Sequence, residues 1–301
     1  MGVPDATRQG ALRFAADDGG SFLGAGADVP PLVALPRLLR AADAVTDDGP
    51  DDLAAVKELL AAGSGSLGGA RPKASVRDDG RLLIAKFPHR SDEWDVLAWE
   101  KTALDLARGC GIDVPPCRLV PVGPRHVLLL ERFDRRGVER VGYLSAMTLL
   151  QSSDGVAADY LELAEAMAEH GGAVVSDLRQ LWRRIAFMLV VNNVDDHLRN
   201  HGFLRSGSGS GWTLSPAFDL NPDPAPGAVR VTAVGFADDA EGALAELVSA
   251  ARQFRLTPEQ ARVVLGQVLG CTRGWRAVAR GNGIGDAQIT RFAPALDRFH
   301  R

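Results

Sequence analysis

The stretch Asn192-Asn193-Val194-Asp195-Asp196-His197-Leu198-Arg199-Asn200-His201 is the most informative part of this sequence. It places a carboxylate at Asp195 and an amide at Asn200, with four residues between them. A third oxygen donor, Asp219, follows in Ser215-Pro216-Ala217-Phe218-Asp219-Leu220. Carboxylates and amides crowded behind an apolar run are costly unless they serve a purpose, so the stretch predicts a functional loop.

The order of these three side chains is the one that a phosphoryl-transfer site requires. In such a site one aspartate orients the accepting hydroxyl, while an asparagine and a later aspartate hold magnesium on the phosphates of ATP. The spacing therefore predicts Asp195 as the catalytic residue and Asn200 and Asp219 as the metal ligands. It also predicts ATP and Mg²⁺ as the cofactors.

Two other interpretations of the same loop stay open at this point. His197 and His201 stand four residues apart, and on a helix two histidines at that spacing can bind zinc or another transition metal. The glutamate that follows the first histidine of a metalloprotease helix is missing, and Gly202 argues against a continuing helix. The second alternative is that the loop is a polar turn with a structural role only.

A loop rich in glycine and serine lies earlier in the chain, with the sequence Gly63-Ser64-Gly65-Ser66-Leu67-Gly68-Gly69-Ala70-Arg71-Pro72-Lys73. Glycine lacks a Cβ, so the backbone of such a loop can approach a phosphate closely. The Gly-Lys-Ser/Thr ending of a Walker P-loop is missing, which argues against that class of ATPase. Taken alone, such a loop is more often a linker.

Three further features follow the loop in an order typical of a kinase small lobe. Lys86 lies near the end of the apolar strand 82–87, and Glu100 lies on the next predicted helix, where it can pair with the lysine. The stretch 128–135 runs from an apolar strand into charged residues, which suits a hinge beside adenine with Phe133 lining the pocket. Taken singly, each feature is more simply a surface charge or an ordinary strand end.

The composition limits the class of protein. The chain has 301 residues, of which 46% are hydrophobic, so it can bury a sizeable core in one or two domains. A formal net charge of −4 argues against direct binding of nucleic acid. Cys110, Cys117 and Cys271 show no metal spacing and no paired framework, which predicts reduced thiols. We expect a cytoplasmic protein, since neither a membrane span nor a signal peptide is evident.

Hydrophobic periodicity and turn residues predict a strand-rich first part and a helical second part. Between residues 63 and 133 the order is loop, hairpin, helix, hairpin, with Asp78-Asp79-Gly80 as the first turn. The helix between the hairpins is predicted to start at Ser91 or Asp92. Helices predominate in the remainder of the chain.

The order of the motifs resembles the HipA-like serine/threonine kinases of bacterial toxin–antitoxin systems. The resemblance covers about residues 8–225 and is carried by Ser66-Leu67-Gly68-Gly69-Ala70-Arg71-Pro72-Lys73, Ile84-Ala85-Lys86-Phe87, Glu131-Arg132-Phe133-Asp134-Arg135, Asp195-Asp196-His197-Leu198-Arg199-Asn200 and Ser215-Pro216-Ala217-Phe218-Asp219. Five motifs in order are far more specific than any one of them. The resemblance implies an α+β, two-lobed, protein-kinase-like fold, with a small β-rich N-lobe over residues 1–135 and a larger, mainly helical C-lobe over residues 136–301.

The resemblance also implies roles for the matching residues. Asp195 is implied as the catalytic aspartate, Asn200 and Asp219 as magnesium ligands, and His197 as a support of the catalytic loop. The implied ATP-binding residues come from the glycine loop, the strand, the helix and the hinge: Ser66, Gly68, Gly69, Ala70, Lys73, Lys86, Glu100, Glu131 and Phe133. Family members phosphorylate serines of this loop, here Ser64 or Ser66, and the added charge of about −2 opposes ATP binding.

The resemblance implies partners as well. The phosphorylated target would be a translation component such as an aminoacyl-tRNA synthetase. Full-length members begin with an extra β-rich subdomain, so we expect this chain to be the short form of tripartite systems. A small separate protein would supply that subdomain, and a helix-turn-helix DNA-binding protein would act as a further antitoxin. A small-molecule kinase and a nucleotide-binding regulator without catalysis remain as alternatives.

Overall fold

The computed structural model describes residues 4–26, 28–46, 52–63, 67, 71–205 and 211–300 of the chain. The chain divides into two compact units. The first comprises Met1–Ala98 with Pro115–Tyr143, and the second comprises Trp99–Val114 with Leu144–Arg301. The lobe boundary predicted after residue 135 stays a prediction.

A four-stranded antiparallel sheet lies at the centre of the first unit. Its strands are β1 (Lys73–Asp78), β2 (Arg81–Lys86), β3 (Cys117–Val122) and β4 (Arg125–Glu131), in the order β1-β2-β4-β3. The predicted turn between β1 and β2 is confirmed. Asp79 and Gly80 have φ values of 43° and 76°, as a tight type I′ hairpin turn requires.

Helices α1 (Leu35–Thr46) and α2 (Asp52–Ala61) pack with this sheet around one hydrophobic core. Leucines three and four residues apart place one face of α1 inward, which is the periodicity of an amphipathic helix. The buried side chains of the core include Leu38, Leu59 and Val76. Each large aliphatic side chain that is fully buried stabilises the fold by about 1.5–3 kcal/mol.

Helix α3 (Val96–Gly109) begins later than its predicted caps. Asp95 Oδ1 accepts a hydrogen bond from the Ala98 amide at 3.0 Å, as an N-cap does. The prediction of Ser91 or Asp92 as the cap is wrong, because the Asp92 carboxylate has other partners. It forms a bidentate ion pair with Arg71, at 2.7 and 2.9 Å, and accepts from the His89 amide.

An arginine–aspartate cluster follows β4. Asp134 accepts hydrogen bonds from Arg132 Nη2 at 2.6 Å, from Arg135 Nη1 at 2.9 Å and from the Gly10 amide at 2.7 Å. Both arginines also donate to the carbonyl of Arg8, at 3.4 and 2.6 Å. The cluster therefore ties the N-terminal residues of the first unit to the segment that follows β4, where β5 (Arg135–Arg136) and β6 (Glu139–Arg140) pair.

The second unit is mainly helical. Its helices are α4 (Ala146–Leu149), α5 (Tyr160–His170), α6 (Val174–Val190), α7 (Ala240–Ser249), α8 (Pro258–Thr272), α9 (Trp275–Gly281) and α10 (Asp286–Leu296). Short strands are β7 (Gly142–Ser145), whose first two residues belong to the first unit, β8 (Ala158–Asp159), β9 (Gly202–Arg205), β10 (Thr213–Leu214) and β11 (Thr232–Ala233). None of the helices in the described residues is both long and apolar enough to cross a membrane.

Helix α6 runs through the core of this unit and positions the loop that follows it. Trp182 is fully buried and donates from Nε1 to the Leu247 carbonyl at 3.0 Å, which satisfies its one polar group. Elsewhere in the unit, Trp99 of α3 stacks on Phe292 of α10, with ring centroids 3.8 Å apart. Large buried aromatic rings such as these hold the helices in place.

The cysteines are all free thiols. Cys110 Sγ lies 3.9 Å from the Val268 carbonyl, and Cys271 Sγ lies 3.0 Å from the Gly109 carbonyl. The end of α3 and helix α8 therefore bring two thiols side by side that are far apart in sequence. Burial, followed by the neighbouring Cys271 thiol, raises the pKa of Cys110.

Candidate active site

The loop after α6 turns sharply at its first residues. Asn192 has a φ of 56°, a left-handed conformation that asparagine tolerates better than most side chains. Its side-chain nitrogen donates to the carbonyls of Asp223 and Ala225, at 2.8 and 2.9 Å. This turn ends the helix and leads the chain directly to Asp195.

Asp195 is an exposed carboxylate that lies near other negative charges. Burial of part of its side chain raises its pKa above the ordinary value, and the charges of Asp219 and Asp196 add to this. A positive charge on His197 acts in the opposite direction and lowers it. The influence of Asp219 on Asp195 follows from the fold, since 23 residues separate them in the sequence.

Asn200 is buried in a short 3-10 helix, Leu198–Asn200. Its Nδ2 donates to the main-chain carbonyl of Asp195 at 3.2 Å. Because the nitrogen of this amide is used inside the loop, the oxygen is the atom suited to a cation. Asparagine and carboxylate oxygens are the hard donors that Mg²⁺ prefers.

Asp219 adopts a left-handed backbone conformation, with a φ of 59°. Asn221 Nδ2 donates to Asp219 Oδ1 at 3.1 Å, while the Asn221 amide donates to Asn193 Oδ1 at 3.0 Å. Two hydrogen bonds from one residue thus join the segment of Asp219 to the loop of Asp195. A non-glycine residue in this region costs about 1–3 kcal/mol and persists where its surroundings restrain it, often at functional sites.

Two buried polar atoms of this loop have no hydrogen-bond partner among the residues that the structure describes. They are Asn193 Nδ2 and His197 Nδ1. Buried polar atoms are almost always satisfied, so two unsatisfied atoms in one loop are a feature of sites that hold water, ions or ligands.

A second network lies behind the loop. The Asp196 carboxylate is buried and accepts from the Tyr160 hydroxyl and from His201 Nε2, the latter at 2.7 Å. Burial and the neighbouring Asp196 raise the pKa of Tyr160, so the phenol stays protonated and donates. The Thr232 hydroxyl donates to the Asp196 carbonyl. These contacts fix the residue next to Asp195.

The geometry does not favour the transition-metal interpretation of the two histidines. His197 lies in irregular chain, so the helical i, i+4 spacing with His201 does not apply. His201 uses Nε2 to contact Asp196. Within the described ranges, no group of three or more His, Cys, Asp or Glu side chains is arranged to hold a metal ion.

The predicted phosphate lysines lie in the first unit. Lys73 of β1 is directly opposite Lys86 of β2, and both side chains are buried. Opposed residues of an antiparallel pair project from the same face of the sheet, so both lysine side chains extend from one face.

The hinge residues also lie in the first unit. Glu131 is the last residue of β4, its amide donates to the Pro116 carbonyl at 2.9 Å, and its carboxylate accepts from Arg81 at 3.2 Å. The Phe133 ring lies 6.3 Å from the ring of Tyr143. Glu131 is therefore held by pairing on both its backbone and its side chain.

The roles of the other predicted site residues stay predictions. Glu100 is buried on the part of α3 that belongs to the second unit, so its pairing with Lys86 of the first unit stays a prediction. The glycine-loop positions lie outside the described residues: Ser64, Ser66, Gly68, Gly69 and Ala70.

Sequence reasoning missed several residues of the loop network. Asn193 and Asn221 connect the two halves of the site, and Tyr160 and Thr232 support Asp196. The only signal in the sequence was the run of amides beside Asp195. Because Asn221 and Asn193 are 28 residues apart, their pairing depends on the fold.

A family model described as the HipA-like C-terminal domain matches residues 65–275, about two thirds of the chain. The chain belongs to this family. The region of the HipA-like domain contains every predicted site residue except Ser64. No curated protein sequence matches the chain.

Solved structures with a similar fold include HipA of Shewanella oneidensis MR-1, from a toxin–antitoxin complex with HipB and operator DNA. The TM-score is 0.60 at 18% identity, over 77% of this chain and 62% of that chain, so this HipA-like chain spans less than two thirds of that protein's length. The Helicobacter pylori proinflammatory kinase CtkA has a TM-score of 0.48 at 15% identity, over 72% and 93% of the two chains. The predicted α+β, protein-kinase-like fold class is confirmed.

Proposed function

We propose that this HipA-like chain is an ATP- and Mg²⁺-dependent protein serine/threonine kinase that acts as the toxin of a toxin–antitoxin system. One observation carries the proposal: the hydrogen bonds of Asn221 join the Asp219 segment to the loop that holds Asp195 and Asn200. An aspartate, an asparagine and a later aspartate in one restrained group are what phosphoryl transfer requires.

The residues present fit a magnesium ion. Asn200 offers an amide oxygen and Asp219 a carboxylate, and a nearby cation would counter both the burial and the negative charges that raise the pKa of Asp195. In the proposed complex Asn200 and Asp219 hold the ion. When bound, Mg²⁺ and ATP supply the transferred phosphoryl group and the neutralisation of its charge.

Asp195 is the catalytic residue of the proposal. Its exposed carboxylate would accept a hydrogen bond from the serine or threonine hydroxyl of the substrate and orient its oxygen for transfer. A raised pKa makes this carboxylate a better proton acceptor than an ordinary surface aspartate. His197 and Asp196 would hold the loop around it.

The nucleotide site of the proposal draws on the first unit. Lys73 and Lys86, which lie opposite each other on β1 and β2, would contact the phosphates of ATP, and the strand end at Glu131 with Phe133 would lie beside adenine. Glu100 would orient Lys86, as the pairing predicted from the sequence requires.

The glycine loop would cover the phosphates through the backbone of Ser66, Gly68, Gly69 and Ala70. We propose that Ser64 or Ser66 is autophosphorylated. A phosphate of about two negative charges in this loop would oppose the phosphates of ATP and so inhibit the kinase.

The substrate and partners complete the proposal. HipA of Shewanella oneidensis, which has a similar fold, forms a complex with HipB and operator DNA, and this supports antitoxin partners for this chain. We propose that a helix-turn-helix DNA-binding protein is one of them. We propose a translation component, such as an aminoacyl-tRNA synthetase, as the substrate. We also propose a second small protein as a further antitoxin partner.

The decisive experiment follows labelled phosphate from ATP into protein in a cell extract supplied with Mg²⁺. Asp195→Asn should reduce transfer by about a hundredfold or more, because the hydroxyl loses its orienting carboxylate. Asp238→Asn, which changes an exposed aspartate far along the chain, serves as the matched control and should transfer normally.

The identity of the labelled product separates the alternatives. One labelled protein band, together with label on the peptide containing Ser64 and Ser66, is the expected result. Label only in small molecules would favour a small-molecule kinase, and Mg²⁺-dependent ATP binding without any transfer would favour a regulator. Equal transfer by the Asp195→Asn variant and the unchanged chain would overturn the assignment of Asp195.

A further inference from the structure

Arg184 is a buried cation that the proposed chemistry does not use. It lies on α6, its side chain is almost completely buried, and within the part of the chain that the structure describes no carboxylate oxygen lies within 4.0 Å of it. Its Nη2 donates to the Ser215 carbonyl at 2.5 Å, while its Nε is buried without a partner. A buried guanidinium with so few partners is expensive for the fold.

The charges around Arg184 keep it ionised. Burial lowers its pKa to about 10, and the carboxylates of Asp113, Asp177 and Asp196 oppose that shift from longer range. The guanidinium therefore remains a cation at neutral pH, and the bond to Ser215 is a charge-assisted one.

The carbonyl that Arg184 holds begins the segment leading to Asp219. The amide of Ser215 donates to the Gly202 carbonyl at 2.8 Å, and the amide of Ala217 donates to the Asp113 carbonyl at 2.7 Å. Arg184 adds a restraint from the helix whose next residues are the catalytic loop. The strained backbone of Asp219, four residues beyond Ser215, needs restraints of this kind.

We propose that Arg184 is a positioning residue that holds Asp219 where it can share a magnesium ion with Asn200. This inference rests on the proposed function, because it concerns the metal of that same site. It extends the site to a residue outside the motifs of the loop. Arg184 acts through the Ser215 carbonyl and does not touch the substrate or the metal itself.

The preceding residue offers a matched control. Arg183 also donates to a main-chain carbonyl, that of Cys110, at 2.8 Å. The two arginines contact different segments, since Cys110 follows α3 whereas Ser215 begins the segment of Asp219. Arg183 is only half-buried, so it controls for the loss of a hydrogen bond from an arginine to a main-chain carbonyl. That loss would affect both positions, whereas a loss of metal positioning would affect only Arg184.

The test measures binding of the non-hydrolysable ATP analogue AMP-PNP, with Mg²⁺ and with EDTA, to the full-length chain. In the Arg184→Met variant we expect the affinity in EDTA to be unchanged and the gain produced by Mg²⁺ to fall about tenfold, as loss of a charge-assisted bond would cause. Arg184→Lys should recover part of that gain. Arg183→Met should bind like the unchanged chain under both conditions.

Circular dichroism and thermal unfolding establish that each variant is folded before binding is measured. Should Arg184→Met fail to fold, Arg184→Lys decides the question, since it retains the buried charge but not the geometry of the guanidinium. A normal gain from Mg²⁺ in the folded Arg184 variants would overturn the inference. An unchanged chain that binds AMP-PNP equally with and without Mg²⁺ would overturn the proposed function, and the role of Arg184 with it.

Discussion

Asp134 of the first unit and Asp195 of the second are carboxyl groups whose pKa values shift in opposite directions. Asp134 is only 3% exposed, yet its pKa lies below the ordinary value. Burial raises that pKa, but Arg132, Arg135 and the Gly10 amide outweigh burial. Asp195 is far more exposed, yet its pKa is raised.

Burial raises the pKa of both carboxyls, so the opposite directions of the two shifts come from the charges and donors around each of them. Asp134 is surrounded by donors that match its charge, so its ionised form stabilises the first unit. Asp195 has the negative charges of Asp219 and Asp196 as neighbours, and the opposing charge comes from His197. A carboxylate left uncompensated costs stability but remains available to a cation or a hydroxyl, which is what a functional site requires.

The largest effect is expected from Asp134→Ala. Removing the carboxylate leaves Arg132 buried without its counter-ion, so the free energy of unfolding should fall by about 3–5 kcal/mol. Urea unfolding at pH 7 measures this. Asp78→Ala, which removes an exposed ion pair with Arg118, is the control and should cost less than about 1 kcal/mol.

The same pair of variants tests whether the pKa of Asp134 is lowered in the folded chain. A carboxyl with a lowered folded pKa contributes stability above its unfolded pKa, and that contribution is lost as the pH falls through the folded pKa. The difference between the unchanged chain and Asp134→Ala should therefore shrink in acid. A difference that is constant from pH 7 to pH 3 would argue that lost packing, and not charge, causes the effect.

A smaller effect of opposite sign is expected from Asp195→Asn. The raised pKa means that the ionised form is disfavoured in the folded state, so its removal should stabilise the metal-free chain at pH 7. The gain should stay below about 1 kcal/mol, because solvent screens this exposed side chain. The gain should disappear as the pH falls below the unfolded pKa of aspartate. Thermal unfolding measures this gain in stability. A loss of stability in Asp195→Asn would show that the carboxylate of Asp195 is stabilised in the folded chain, as that of Asp134 is.

The smallest effect is expected from His197→Gln. The charge on His197 lowers the pKa of Asp195, so its removal should raise that pKa and move the acid limb of the kinase pH–rate profile to higher pH. His170→Gln, at an exposed histidine on α5, should leave the profile unchanged. Identical acid limbs for both variants would show that His197 does not influence Asp195.

Much of the fold, and the order of the candidate site residues along the chain, could be predicted from the sequence because both rest on local patterns. The turn at Asp79 and Gly80 lies where turn chemistry places it, and helices predominate after the second hairpin, as hydrophobic periodicity predicts. The predicted N-cap of α3 was wrong because Asp92 is of a residue type that caps helices and precedes the helical pattern. Its carboxylate is instead bound by Arg71, 21 residues earlier in the chain.

By itself, the sequence determined the order of the elements and the spacing of Asp195, Asn200 and Asp219, since periodicity and spacing are properties of neighbouring residues. Only the tertiary structure decided that Asn221 joins Asn193 to Asp219, and that Arg184 holds the Ser215 carbonyl. The pKa values of Asp134 and Asp195 also belong to the folded chain. Each depends on charges and donors that lie close in space but far apart in sequence, and no local pattern encodes those distances.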